Sequence, residues 1–168
     1  MKLSALYQIF LDCQSVTTDS RNCPDGSLFI ALKGESFNGN AFAKLALDSG
    51  CAFAIIDEAE YAVEGDKRYI LVDNCLQTMQ QLANYHRRQL GTRVIGITGT
   101  NGKTTTKELI SSVLCQAHNV LYTLGNLNNH IGVPTTLLRL KPEHDLAVIE
   151  MGANHPGEIK FLCRSEER

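Results

Sequence analysis

The residues best suited to chemistry lie together in Val94-Ile-Gly-Ile-Thr-Gly-Thr-Asn-Gly-Lys-Thr-Thr-Thr106. The β-branched run Arg93–Ile97 predicts a buried strand, the glycines after it a tight turn, and Thr105 to about His118 a helix. A strand, a glycine turn and Gly-Lys-Thr at a helix start make a phosphate cradle. Glycines let backbone N–H groups close around an anion, and the helix N-terminus adds positive potential. Gly99, Thr100, Asn101, Gly102, Lys103, Thr104 and Thr105 are therefore the candidate nucleotide-binding residues. Lys103 can reach the β- and γ-phosphates, and the Thr104 hydroxyl can ligate Mg²⁺. The spacing departs from the common P-loop, because Ile97 stands where that pattern has its first glycine.

An acid follows downstream. Leu146-Ala-Val-Ile-Glu-Met-Gly152 reads as a buried strand ending in Glu150. Ligands of open α/β sheets sit beyond the carboxyl ends of strands, which puts Glu150 on the same edge as the glycine loop. A carboxylate near Thr104 suits Mg²⁺, which takes few carboxylates plus phosphate oxygens. Between them lies Gly125-Asn-Leu-Asn-Asn-His-Ile-Gly-Val-Pro134. Its asparagines can orient a phosphate or an amide, but Asn and Gly are also ordinary turn residues. Asn154 can cap a last helix with Pro156 in its first turn, and His155 beside them reads as functional or simply exposed. His86, His118 and His144 read as structural or solvated.

The elements that must position these groups fall into two units, 1–90 and 91–168. In the first, a helix is expected over Ser4–Leu11, strands at Ser15–Thr18 and Leu28–Leu32, and a helix at Ala41–Ser49 ended by Gly50. Strands at Ala52–Asp57 and Tyr69–Val72 follow, then a long helix capped by Asn74 and ending near Leu90 with Gly91 after it. Arg87 and Arg88 read as cations at the helix end, favoured by its dipole. The segments Thr17–Arg21 and Lys33–Asn40 read as polar loops that bind or turn. In the second unit, strands at Arg93–Ile97, Val120–Leu124 and Leu146–Met151 alternate with helices at Thr105–His118 and Val133–Leu140, and a further helix starts near Pro156. The fold class is α/β: a small α/β N-terminal domain, then the start of a P-loop, doubly wound parallel-sheet ATPase domain. Three strands are too few to finish such a sheet, so the chain is expected to be a truncated piece with apolar surface uncovered.

Composition narrows the classes. The 168 residues carry a net charge of −2 without a basic block, which argues against a nucleic-acid surface. No segment approaches the ~18 apolar residues of a membrane helix, and Met1–Phe10 is too short and polar for a secretory signal. The six cysteines include no C-x-x-C pair, so reduced thiols in a cytoplasmic protein are the expectation.

With these residues in view, Thr98-Gly-Thr-Asn-Gly-Lys-Thr-Thr105 resembles the ATP loop of the Mur ligases, the ATP-dependent amide-forming enzymes of bacterial peptidoglycan synthesis. Its irregular spacing is a trait of that family. The segments Gly125-Asn-Leu-Asn-Asn129 and Glu150-Met-Gly-Ala-Asn-His-Pro-Gly-Glu-Ile159 are similar to the branch that joins D-Ala-D-Ala to UDP-MurNAc-tripeptide. Thr18-Asp-Ser-Arg21 and Gly26-Ser-Leu-Phe-Ile-Ala-Leu-Lys-Gly34 resemble the precursor-binding domain of the family. The resemblance implies ATP and Mg²⁺ as cofactors, with carboxyl activation as an acyl phosphate and attack by the D-Ala-D-Ala amine. It implies catalytic roles for Lys103 and Glu150, Mg²⁺ on Thr104 and Glu150, and substrate contacts from Asp19, Ser20, Arg21, Asn128, Asn129 and His155. It implies a cytoplasmic, monomeric full-length enzyme whose later domains lie outside this chain, so the chain by itself is expected to be inactive. Two positions depart from the pattern. Asn38-Gly-Asn40 stands where Asp-Gly-His is usual, and His130 where an acid is common. Another Mur-like ligase, a folylpolyglutamate synthase and a non-catalytic nucleotide-binding module are the alternatives.

Overall fold

The computed structural model describes residues 2–153 together with Ile159 and Leu162. The chain divides into two compact units, Met1–Leu82 and Ala83–Arg168. The division falls inside a helix rather than after it.

The first unit begins with helix α1, Leu3–Asp12, which buries Leu6, Tyr7 and Phe10 on one face. Strands β1 (Val16–Thr17) and β2 (Leu28–Ile30) follow, then a two-residue hairpin of β3 (Lys33–Gly34) and β4 (Phe37–Asn38). A 3-10 turn over Gly39–Phe42 leads into α2 (Ala43–Asp48), then β5 (Phe53–Ile56) and β6 (Tyr69–Leu71). The main sheet has the order β1-β2-β5-β6 with every pair parallel. Leu28, Phe29, Ile30, Ala54, Ile55 and Ile56 are fully buried, as expected for strands covered on both faces. The hairpin was expected as loop. It carries no apolar alternation, and its base depends on a close approach: the Gly39 N–H donates to the Leu32 carbonyl at 2.9 Å, where a Cβ on Gly39 would press into the Leu32 backbone.

Helix α3 spans Cys75–Leu90 and crosses from one unit into the next. Its ends are local chemistry. The Asn74 side chain accepts from the Gln77 N–H at 2.8 Å, and Gly91 follows at φ +66°. Of the two arginines near its end, Arg87 is buried, so packing rather than a solvated helix end defines its place.

In the second unit, β7 (Arg93–Ile97) leads through the glycine loop to α4 (Lys103–Leu114). Strand β8 (Val120–Tyr122), helix α5 (Gly132–Leu137) and β9 (Leu146–Glu150) complete it. The sheet order is β7-β9-β8, all parallel, so β9 is central and its Ala147, Val148 and Ile149 are fully buried. Ile97, Val120 and Val148 form a core against which Ile110 and Leu114 of α4 pack. Leu109, Val113 and Ile95 are exposed. The helix proposed near Pro156 falls largely outside the described residues.

Candidate functional site

Register decides where the chemistry meets. Ile97, the last residue of β7, pairs with Glu150, the last residue of β9. The Met151 N–H extends the ladder by donating to the Ile97 carbonyl at 2.8 Å. Both strands therefore stop at one level, and the loop 98–102 and Glu150 emerge from the same edge. Gly102, at φ +76°, turns the chain directly into α4, so the helix starts at Lys103 and places Thr104 in its first turn. Gly99 is also in the left-handed half of backbone space, at φ +150°. Thr98 to Gly102 are exposed to solvent, and Lys103 folds back across the loop, donating to the Gly99 carbonyl at 2.7 Å.

The Thr104 hydroxyl donates to Glu150 Oε1 at 3.2 Å, and the Asn128 amide donates to the same oxygen at 2.8 Å. Glu150 is only 1% exposed, yet its second oxygen, Oε2, is buried with no hydrogen-bond partner among the described residues. A buried carboxylate oxygen left bare is costly in a protein interior unless a cation meets it. The donor set fits Mg²⁺: one carboxylate, one threonine hydroxyl and a neighbouring loop open to phosphate oxygens. Thr104 and Glu150 would hold the ion.

The asparagine loop is a support for this carboxylate. The Asn128 carbonyl accepts from the Gly152 N–H at 2.7 Å while its amide holds Glu150. A Cβ on Gly152 would come within 3.1 Å of the Asn128 side chain. Asn129 instead uses its side chain to accept from the Ile131 and Gly132 N–H groups, at 3.1 and 2.8 Å, at the start of α5. Asn128 and Asn129, expected as substrate contacts, thus have intramolecular partners. His130 is exposed, and His155 lies outside the described residues.

The first unit holds a separate cleft. Thr18, Asp19, Ser20 and Arg21 line a hollow of about 450 Å³ with Phe37 and Phe42. Arg21 grips Asp19 with Nε and Nη2, each at 2.9 Å, and holds the Asp19 carboxyl down at about 2. The two phenylalanine rings stack at 5.2 Å between centroids, and both are exposed. Sequence reading missed them. Their only local signal is two aromatics flanking a short polar turn, and their exposure is a tertiary fact.

The departures at Asn38 and Asn40 are absorbed into a polar network. Asn40 is buried, donates to Asp57 Oδ1 and accepts from the Asp57 N–H, both at 2.9 Å. Asn38 donates to Glu58 at 2.7 Å, and Lys33 bridges Asp57 and Glu58. Burial pushes the Asp57 carboxyl up, but the Cys75 N–H, Asn40 amide and Lys33 ammonium outweigh it and hold the group below the usual carboxylate range. Among the described residues no group of three or more His, Cys, Asp or Glu could hold a metal, and no helix is long and apolar enough to cross a membrane. Cys13, Cys23, Cys51, Cys75 and Cys115 are free.

Comparison with known proteins agrees with this geometry. Residues 12–87 match the Mur ligase family catalytic domain and residues 97–165 the Mur ligase middle domain. The UDP-N-acetylmuramoyl-tripeptide–D-alanyl-D-alanine ligase of Bacillus subtilis is 46% identical over 149 residues, 89% of this chain and 33% of the relative. The solved UDP-N-acetylmuramoylalanyl-D-glutamyl-2,6-diaminopimelate–D-alanyl-D-alanyl ligase of Acinetobacter baumannii superposes with a TM-score of 0.86 at 36% identity, covering 98% of this chain and 39% of that one. The MurF ligase of Thermotoga maritima, solved in complex with ADP, gives a TM-score of 0.81 at 31% identity, covering 93% and 36%. The chain thus spans about a third of the length of the curated relatives it matches.

Proposed function

This chain belongs to the Mur ligase family, and we propose that it carries the UDP-precursor-binding domain (residues 1–90) and the first part of the ATP-binding domain (residues 91–168) of a D-alanyl-D-alanine-adding ligase. The reaction would form an amide between the terminal carboxylate of UDP-MurNAc-tripeptide and the amine of D-Ala-D-Ala, with ATP activating the carboxylate as its acyl phosphate. The observation that carries the reading is the meeting of Thr104 with a buried Glu150 beside the glycine loop, with one carboxylate oxygen bare.

Each group has a definite task in this scheme. Backbone N–H groups of Gly99 to Thr104 cradle phosphates at the N-terminus of α4. The Lys103 ammonium, already over the loop, exchanges a backbone carbonyl for phosphate oxygens and offsets charge on the transferring phosphoryl group. Mg²⁺, when bound, supplies Lewis-acid charge stabilisation. Asn128 holds one oxygen of Glu150 and so aims the other. In the first unit, the cleft with Asp19, Ser20, Arg21, Phe37 and Phe42 takes the uridine-nucleotide end, with the aromatic pair giving a flat apolar wall for a base and Arg21 a cation for phosphate. His155 is assigned to the substrate side by resemblance alone. The whole enzyme is read as a cytoplasmic monomer, in keeping with the free thiols.

Equilibrium titration of the chain with ADP and Mg²⁺, and separately with the UDP-linked tripeptide, tests the assignment. Saturable binding of both, with ADP binding lost in Lys103→Ala and precursor binding kept, is the expected result. Precursor binding that survives Arg21→Ala unchanged, or ADP binding indifferent to Lys103→Ala, would refute the corresponding half.

A further inference from the structure

We propose that Lys107 is a positioning residue for the Glu150 site, tying helix α4 to the strand end that fixes the carboxylate; the role presumes the Mg²⁺–nucleotide reading given above. Lys107 lies one turn beyond Lys103 on the same helix, but it points inward and is fully buried. Its ammonium donates to the Thr123 carbonyl at 2.7 Å, pairs with Glu108 at 2.6 Å, and lies 5.9 Å from the centre of the Tyr122 ring. Glu108 itself is mostly exposed.

Stability alone does not account for a cation here. Burying an ammonium carries a desolvation cost that its partners at best offset, and an apolar residue of similar volume often does as well or better. Position gives the reason. Thr123 is the first residue beyond β8, fully buried, and it has three partners at once. Its N–H donates to Val148 at 3.1 Å, its carbonyl accepts from Lys107, and its hydroxyl accepts from the Glu150 N–H at 2.9 Å. Two hydrogen bonds therefore connect Lys107 to the backbone of Glu150. The chain leaving Thr123 turns at Gly125, φ +54°, into the loop whose Asn128 amide holds the Glu150 side chain. Lys107 pins the root of both supports.

The contacts close into a ring. Helix α4 carries Thr104, which donates to Glu150 Oε1, and Lys107, which reaches Glu150 through Thr123. The separation of Thr104 from Glu150 is thus fixed twice, once directly and once through the buried lysine. Groups that orient the ligands of a metal typically change metal affinity by about 10–100-fold when removed.

The test uses ADP and Mn²⁺ as probes on the 168-residue chain, measuring ADP affinity with and without the ion. In the wild type Mn²⁺ tightens ADP binding. In Lys107→Met that increment falls by about 10-fold or more, while metal-free ADP affinity stays within about twofold because no phosphate contact is touched. A merely structural lysine would lower both affinities together or neither. Thr123→Val keeps the carbonyl that Lys107 uses and removes the hydroxyl that holds Glu150, so it loses part of the same increment. It decides the matter if Lys107→Met does not fold. A full Mn²⁺ increment in folded Lys107→Met, or in Thr123→Val, overturns the positioning role alone. No Mn²⁺ effect in the wild type overturns the nucleotide reading and the role of Lys107 with it.

Discussion

Asp57 and Glu150 occupy equivalent places in the two units: each is an acid at the carboxyl end of a parallel strand, Glu150 buried and Asp57 half-buried with its side chain only 4% exposed. Their surroundings differ in one respect. Both oxygens of Asp57 are taken, by Lys33 and Asn40 on one and the Cys75 N–H on the other. Glu150 has two donors on one oxygen and, among the described residues, none on the other. A closed network is complete in the folded chain and serves the fold. An open one is complete only with a ligand. Topology puts an acid at a strand end, and hydrogen-bond accounting separates the structural acid from the functional one.

That contrast can be broken by substitution. Asp57→Ala should have the largest effect, because it strips partners from the Cys75 N–H, the Asn40 amide and the Lys33 ammonium; a loss of about 3 kcal/mol in chemical denaturation is expected. Binding of ADP should be unaffected. A stability change below about 0.5 kcal/mol would show that the network is not structural.

Glu150→Gln should do the reverse. It removes a bare buried charge, so folding stability should hold within about 1 kcal/mol. The metal-dependent part of ADP binding should fall by at least about 10-fold, or 1.4 kcal/mol. Loss of stability on the scale of Asp57→Ala would erase the distinction between the two acids.

Gly152→Ala perturbs the support of Glu150 without replacing either acid. The new methyl group would press on Asn128 and loosen its hold on Glu150. An effect of about 1 kcal/mol on metal-dependent binding is expected, calorimetry being a direct check. Asn128→Ala should reproduce it, and unchanged binding in both would remove Asn128 from the site.

The smallest effect concerns pH. His86 is buried, and its ring Nε2 lies 2.9 Å from the Leu140 carbonyl; burial lowers its pKa despite that bond. The unfolded chain therefore binds the proton more readily than the folded one. Stability from His86 is whole above the unfolded pKa near 6.5 and is lost as pH falls from there toward the lower folded value. His86→Gln should flatten the stability–pH curve in that window by under about 1 kcal/mol. A slope of the same size in the variant would assign it to another group.

Much of this was legible because it is local chemistry. Asn74 and Gly91 bracket α3 within one residue of the expected ends, and the buried runs of β5 and β9 were visible as apolar segments. Strand β7 was expected to be buried as well, but it pairs with β9 alone at the sheet edge, and only Ile97 is buried while Ile95 and Gly96 are exposed. Helix α4 starts two residues before the expected Thr105, because Gly102 turns the chain at once. It ends at Leu114 rather than His118, where residues 115–117 form turns. Thr104 and Glu150 met as their strand ends implied. What stayed hidden depends on distant partners. Lys107 reads as one more solvated lysine until β8 is laid beside it. The hairpin β3–β4 needs the Leu32 backbone against Gly39, and Phe37 and Phe42 become a wall only when that hairpin folds.

A crystal of the chain grown with ADP and Mn²⁺, recorded at the manganese edge, shows whether Glu150 and Thr104 hold a metal beside the glycine loop. An anomalous peak bonded to Glu150 Oε2 and the Thr104 hydroxyl is expected, with the diphosphate in the loop Gly99–Thr104 and Lys103 turned from the Gly99 carbonyl onto it. A diphosphate bound away from that loop, or manganese placed with Glu150 Oε2 still bare, would contradict that expectation.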